Sequence, residues 1–511
     1  MYHYNLGLKF QAIAQQHAAK SALWFDENNA VSYAELNALS NQVARYLLAQ
    51  GVVTNDVICL YGTKSLLTFA CMLACLKIGA IYAILDPDSP PERLHKIIAT
   101  CEPKLVINSE LSSEFSIYDD GNLPHTPQIT SAHPAYIMYT SGSTGFPKGA
   151  VMTHANVLNL IAWSQTTFDL VSSDVLTNVN PLYFDNSVFD FYSALFTGAC
   201  LVPFTKTEVR DPKHLVEKVA AANCTLWFSV PSLLLFLQTM KATDGHNLRS
   251  IRRFVFGGEG YPKAKLKQLY EAYPNSEFFN VYGPTECTCI CSSYQLSASD
   301  FVELQGLPPL GQIANNFAYL ILDANGQHVP PGEAGELCLL GPNVGRGYYN
   351  DPERTAASFV QNPYNNKYQE IMYKTGDLVR LNPADGKLYI SGRKDNQIKH
   401  QGYRIELEEI EAALACLDYI AEAAALHSNH NGLSRINAVI AVREDCSDEQ
   451  IRTDLKRYLP AYMIPSVFYR ETFLPKNANG KVDRRQLTEK YLAAKQHVAA
   501  NSFAGAAKQG E

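Results

Sequence analysis

Between residues 32 and 108 the chain repeats one pattern, a stretch with apolar residues at helical spacing followed by a short β-branched or aromatic run. The stretch from Ser32 to Leu48 reads as helix, VICLYG as strand, the residues up to Leu76 as helix and IYAIL as strand. A helix near Arg93 to Ile98 then precedes the strand KLVIN. Alternation of this kind builds a mostly parallel sheet with helices on its faces. The run Leu66 to Leu85 is nearly apolar over twenty residues, the length of a membrane span. Lys77 and Gly79 interrupt it, so it reads as a buried helix ending near Gly79 and a buried strand stopped by Asp86 and Pro87.

Beyond Gly306 the pattern changes to short strands with turns, and the dipeptides Asn325-Gly326 and Asp385-Gly386 read as hairpin turns. This stretch is expected to form a small antiparallel β unit. At GRKDNQIKHQGYRIELEEIEAAL a Gly-punctuated strand pair gives way to an amphipathic helix with Leu407, Ile410 and Leu414 on one face. The strand INAVIAV follows, and Ser447 with Gln450 reads as a capping box opening a helix that Pro460 ends. The fold class is therefore α/β, in three parts. Residues 1–394 are expected to form a large multi-layer α/β domain with a small β subdomain, 395–490 a small, compact α+β domain, and 491–511 a flexible tail, with everything after Leu487 loosely held.

A chain of 511 residues that is 47% hydrophobic buries a large core, which excludes disorder of the whole. Its net charge of −7 argues against a dedicated nucleic-acid binder. Twelve cysteines without a CxxC pair do not make a disulfide scaffold; free thiols point to a reducing, cytoplasmic setting. Cys287, Cys289 and Cys291 alternate, as on one face of a strand, and packing explains them better than metal ligation. The N-terminal MYHYNLGLKFQAIAQQ lacks the features of a signal peptide, and no membrane association is expected.

Five segments suggest chemistry. YTSGSTGFPKG, residues 139–149, interleaves Thr140, Ser141, Ser143 and Thr144 with Gly142, Gly145 and Gly149 and sets Lys148 near its end. Such a loop brings backbone N–H groups and hydroxyls to a phosphate, though its spacing is not that of a Walker A loop. In NVYGPTE, residues 280–286, Glu286 offers a carboxylate for a divalent cation, Tyr282 a flat face for a base and Asn280 an amide for its edge. Asp377 in TGD and Arg393 in GRKD stand at strand ends, where an aspartate takes a ribose diol or caps a turn. Lys481 in NGKVDR follows a glycine on an exposed loop.

In this order the segments resemble the core motifs of the adenylate-forming superfamily, most closely the amino-acid adenylation domains of non-ribosomal peptide synthetases. The resemblance runs over nearly the whole chain and includes FDNSVFDFYSALFTGA, GELCLLGPNVGRGYYNDPERT and YKTGD. It implies an enzyme that activates a carboxylic acid with Mg-ATP, releases pyrophosphate and passes the acyl group from acyl-AMP to a thiol. The thiol is that of a phosphopantetheinylated carrier protein, met in trans by a stand-alone loader.

By position, the resemblance assigns Thr140, Ser141, Gly142, Ser143, Thr144 and Lys148 to the β and γ phosphates. Asn280 and Tyr282 go to adenine, Gly283 counts among the cofactor-binding residues, and Thr285 and Glu286 go to the α-phosphate and Mg²⁺. Asp377 holds the ribose with Arg393 beside it. Lys481 touches both the substrate carboxylate and the α-phosphate, and Asp395 is the hinge of a rotating lid. Asp185 pairs with an α-ammonium group and marks an amino-acid substrate. The rest of the pocket is Asn186, Phe189, Phe228, Val255, Gly257, Val281, Cys289 and Ile290. Its mostly apolar lining and two Phe rings imply a small or medium apolar side chain, with proline and alanine as the leading candidates.

Departures qualify this. D-alanine activators share FGGE and KHQGYRIELEEIE but usually have Cys where this chain has Gly257, and Ile390 stands where many relatives place an aromatic residue. The alternatives are an acyl-CoA or aryl-CoA ligase of the same superfamily, which Asp185 opposes, and a catalytically silent scaffold. Retention of Lys148, Glu286, Asp377, Arg393 and Lys481 together opposes the latter.

Overall fold

The computed structural model describes residues 3–108, 114–124, 128–142, 146–243, 245–430, 433–477 and 482–493. The apolar run after residue 65 shows how sequence sets structure here. Ser65 caps the helix Leu66–Ile78 by accepting from the Thr68 N–H, and Gly79 ends it at φ 75°, a left-handed conformation that favours glycine. Nearly all of that helix is buried, as is the strand Ile81–Leu85 after it. Its one cation, Lys77, is satisfied by Asn37 and Asn41 side-chain oxygens and the Ser40 hydroxyl, 2.6–2.8 Å away on the helix Tyr33–Ala49. No described helix is long and apolar enough to cross a membrane.

Two units are resolved. The first comprises residues 1–87, 97–140 and 148–395 and holds, among the described residues, three sheets. In a five-stranded sheet, Leu105–Ile107, Val57–Tyr61, Ile81–Leu85 and Pro134–Thr140 run parallel, and Lys148–Thr153 returns antiparallel to the last. A nine-stranded sheet has a parallel centre of Glu277–Tyr282, Arg253–Gly257, Leu226–Ser229, Val175–Asn178 and Cys200–Pro203. The third sheet, after Gly306, is antiparallel, as the turn residues indicate; its longest strand, Ile371–Leu381, pairs with Leu388–Arg393 across the Asp385-Gly386 turn. The second unit comprises 88–96, 141–147 and 396–511. It is α+β, with the hairpin Gln397–His400/Tyr403–Glu406, the helix Leu407–Ala415 and a three-stranded sheet containing INAVIAV.

Three local expectations are corrected. Cys287, Cys289 and Cys291 are buried but share no strand: Thr285–Cys287 form a 3₁₀ turn, and Thr288 and Cys289 take positive φ of 61° and 73°. The Thr288 hydroxyl donates to the Asn343 carbonyl at 2.8 Å, a tertiary bond that holds this reversal without a glycine. Ser447 caps its helix by accepting from the Gln450 N–H, but no reciprocal bond is present, and the helix closes at Leu455, before Pro460. Residues 489–493 are tied down, since Lys490 and Tyr491 both donate to Glu471 and the Tyr491 ring stacks on Tyr469. Among the described residues no group of three or more His, Cys, Asp or Glu is set to hold a metal.

His154, fully buried at the start of the helix His154–Thr167, accepts the Leu6 N–H at Nδ1, 3.0 Å away. Burial pushes its pKa down to about 3, so the fold holds it neutral. The unfolded chain binds a proton below about pH 6.5 that the folded chain refuses, so stability falls as pH drops from about 6.5 toward 3. Between pH 7 and 5 the wild type is expected to lose about 2 kcal/mol relative to His154→Gln. Denaturant midpoints at the two pH values measure this, and equal pH slopes would overturn it.

Candidate active site

The parallel centre of the nine-stranded sheet ends in a row of the residues singled out above. Its strands pair in register, Phe228 beside Val255 and Gly257 beside Val281. In open α/β sheets the carboxyl ends of such strands are where ligands collect, because the connecting loops and helix N-termini converge there. The helix Asn186–Leu195 brings Asn186 and Phe189 to this end, and the Phe189 ring meets Phe228 edge-on with centroids 4.9 Å apart. Phe189, Phe228, Val255, Val281, Cys289 and Ile290 are all buried, and burial pushes the Cys289 thiol far up, so it stays protonated.

Asp185 opens that helix but does not cap it with its side chain. Its Oδ2 instead accepts the Thr285 hydroxyl at 2.6 Å. One residue on, Glu286 is fully buried; its Oε1 accepts the Tyr348 hydroxyl at 2.7 Å and lies 3.6 Å from Lys148 Nζ. Lys148 itself lies over the Tyr348 ring, 5.3 Å from its centroid. It begins the strand Lys148–Thr153 and is paired in register with Thr140, whose buried Oγ1 has no hydrogen-bond partner among the described residues. Gly283 permits a close approach, since a Cβ there would stand 2.2 Å from the Cys289 carbonyl oxygen.

A second cluster joins the nine-stranded sheet to the antiparallel one. Tyr282 donates to Asp377 Oδ2 at 2.6 Å, and Arg393, cross-strand from Asp377, donates to its Oδ1 at 2.7 Å. Arg393 also grips both oxygens of Asp395 at 2.6 Å. Burial, then the Asp377 charge, pushes the Tyr282 phenol far up and keeps it a proton donor. Asn280 is buried with its amide on the Pro309 carbonyl at 2.8 Å.

In the second unit, Ser141 is buried; its hydroxyl donates to the Arg404 carbonyl at 2.7 Å and accepts the Glu406 N–H at 3.1 Å. Gly142 is described beside it, whereas Ser143, Thr144 and Lys481 lie outside the described residues. Sequence reasoning passed over Tyr348 and Asp190. Tyr348 stands in the quoted GRGYYND motif, and Asp190 is a lone carboxylate in an otherwise apolar turn of the pocket helix, a signal that was available.

Gly257 lets two strands approach closely. A Cβ there would stand 2.4 Å from the Val281 carbonyl oxygen and 2.7 Å from Val281 Cγ2, so any side chain forces the two strands apart. Gly257→Ala is expected to cost about 1–3 kcal/mol, seen as a lower denaturant midpoint at unchanged slope. An unaltered midpoint would show that the strands yield freely.

Comparison with known proteins matches residues 10–349 to the family described as AMP-binding enzyme. Gramicidin S synthase 2 of Aneurinibacillus migulanus is 33% identical over 492 residues, covering 93% of this chain and 11% of its own length. A dimodular nonribosomal peptide synthase of Bacillus subtilis is 35% identical over 480 residues, covering 89% of this chain and 20% of its own. The chain thus spans a fifth or less of the length of these curated relatives. In fold it is similar to the Vibrio cholerae adenylation domain AlmE, solved with glycyl-adenosine-5'-phosphate, at TM-score 0.82 and 22% identity over 96% of this chain and 99% of that one.

Proposed function

Because the chain belongs to the AMP-binding enzyme family, we propose that it activates an amino acid with ATP as aminoacyl-AMP and transfers it to the phosphopantetheine thiol of a carrier protein in trans. The observation that supports this most is the bond between Asp185 and Thr285, which joins a carboxylate to the residue before Glu286. In this reading Asp185 takes the substrate ammonium and orients the substrate carboxylate toward the α-phosphorus. Orienting two reactants removes much of the entropic barrier. The bond formed is carboxylate oxygen to phosphorus and the bond broken is phosphorus to the bridging oxygen of pyrophosphate, so no proton transfer is needed.

Charge is the remaining problem, since two anions must meet. Thr140, Lys148 and the loop between them hold the β and γ phosphates, with Ser141, Gly142, Ser143 and Thr144 as donors. Thr285 addresses the α-phosphate, and Lys481 bridges the substrate carboxylate and the α-phosphate as negative charge gathers. Asn280 and Tyr282 hold adenine with Gly283 in the same nucleotide site, and Asp377, held in place by Arg393 at 2.7 Å, holds the ribose. Mg²⁺ favours one or two carboxylates plus phosphate oxygens, and Glu286, a buried hard-oxygen ligand, fits that donor set. When bound, the ion neutralises phosphate oxygens. Asp395 is the hinge of the C-terminal domain.

The pocket of Asn186, Phe189, Phe228, Val255, Gly257, Val281, Cys289 and Ile290 suits a small or medium apolar side chain, proline or alanine foremost. The test is amino-acid-dependent ATP–pyrophosphate exchange over L- and D-amino acids with aryl and fatty acids included. Strong exchange with one small apolar amino acid is expected. Exchange with a non-amino acid alone would move the chain to acyl-CoA ligase chemistry, and none with any acid would mark a silent scaffold.

A further inference from the structure

Asp190, on the same helix as Asn186 and Phe189, has no part in the chemistry above, yet it is 0% exposed. Its Oδ2 accepts two side-chain amides, Asn178 Nδ2 and Asn180 Nδ2, each at 3.0 Å. The Asn180 amide donates in turn to the Phe228 main-chain carbonyl at 3.0 Å, and Lys64 Nζ donates to the Asn178 carbonyl at 2.5 Å. One carboxylate therefore ties the pocket helix to the ends of two neighbouring strands, Val175–Asn178 and Leu226–Ser229.

A carboxylate is an expensive way to fill a core position, because its desolvation is only partly offset by its partners. An apolar residue would pack there with less penalty. What a polar link through Asp190 Oδ2 provides instead is geometry, since hydrogen bonds fix an angle and a register that packing alone leaves loose. Here the fixed register is that of the pocket. Phe189 precedes Asp190 on the helix, Phe228 is the residue whose carbonyl Asn180 holds, and the two rings stand edge to face at 4.9 Å. Asp190 is also close enough to Cys289, on the pocket's other wall, for its charge to help raise that thiol after burial and Asp185. Burial raises Asp190 itself and lowers Lys64, and each one's charge limits the other's shift.

We propose that Asp190 is a positioning residue of the acyl pocket: through Asn180 it sets where Phe228 stands against Phe189, and so the largest side chain the pocket admits. This rests on the reading that these two rings bound the substrate side chain. The experiment is ATP–pyrophosphate exchange by the full chain with amino acids graded by side-chain volume, for wild type, Asp190→Ala, Asp190→Asn and Asn180→Ala. Asp190→Ala is expected to raise the amino-acid KM by about tenfold or more and shift preference to larger side chains, with the ATP KM held within about twofold. Asp190→Asn keeps an oxygen acceptor for Asn178 and Asn180 and should restore the KM to within about threefold. If Asp190→Ala is not recovered folded, Asn180→Ala, which cuts the link to Phe228 alone, is expected to show the same KM rise and shift in preference.

Equal rises in both KM values, unchanged size preference, or an Asn variant no better than Ala would overturn the proposal. Wild-type exchange with a non-amino acid alone would defeat the amino-acid reading while leaving the same variants to be judged on that acid. Exchange with no acid at all would overturn both.

Discussion

Lys481→Ala is expected to slow adenylate formation by about 10²–10³-fold while leaving the thermal midpoint and ATP affinity near wild type. The reason is electrostatic. A carboxylate approaching an α-phosphate meets like charge, and the repulsion is greatest in the transition state, where oxygen, phosphorus and leaving group share the charge. A cation placed between them acts mainly there, which is why its removal lowers kcat rather than substrate binding. Lys148 cannot take over, because it stands 3.6 Å from Glu286 and over Tyr348, committed to another part of the site. The measurement is pyrophosphate exchange alongside transfer from supplied aminoacyl-AMP to the carrier thiol. Transfer should survive, since that step forms no bond to phosphorus. Exchange within about threefold of wild type would remove Lys481 from the mechanism.

Much of the fold was legible because local and tertiary demands agree. The run 66–85 could be divided correctly since Ser65 caps, Gly79 alone tolerates the left-handed turn, and the residues on either side are apolar throughout. The site was legible as a set of residue types but not as a set of partners. Nothing local to Tyr282 says that its hydroxyl meets Asp377, 95 positions away; sheet topology brings them together. The cysteine stretch was misread for a related reason. Alternation implies a strand only while the backbone stays extended, and at Thr288 and Cys289 a tertiary bond to Asn343 overrides it. Asp190 was missed because its neighbours on the helix are apolar and its partners, Asn178 and Asn180, lie beyond the helix on a strand end.

The substrate assignment turns on one further substitution, Asp185→Ala, expected to cut amino-acid activation by about 100-fold or more while ATP binding stays within about twofold. Aspartate at the first position of a helix ordinarily folds back to accept its own N–H groups. Asp185 does not; its carboxylate is held by the Thr285 hydroxyl at 2.6 Å, at the helix end whose partial positive charge favours an anion. The bond from Thr285 joins this carboxylate to the segment that follows the strand Glu277–Tyr282, which pairs Val281 with Gly257. A half-buried anion so placed favours a cationic partner, and an α-ammonium group supplies one that an aryl or fatty acid lacks. Loss of the carboxylate leaves that ammonium in a mostly apolar pocket, so the penalty should fall on the amino-acid KM and kcat/KM together. Asp185→Asn separates charge from hydrogen bonding: it keeps an acceptor for Thr285, so a loss nearly as large as with alanine would assign the effect to charge. If instead both variants keep the wild-type amino-acid KM, the ammonium is bound elsewhere, and a non-amino acid becomes the better reading of the pocket.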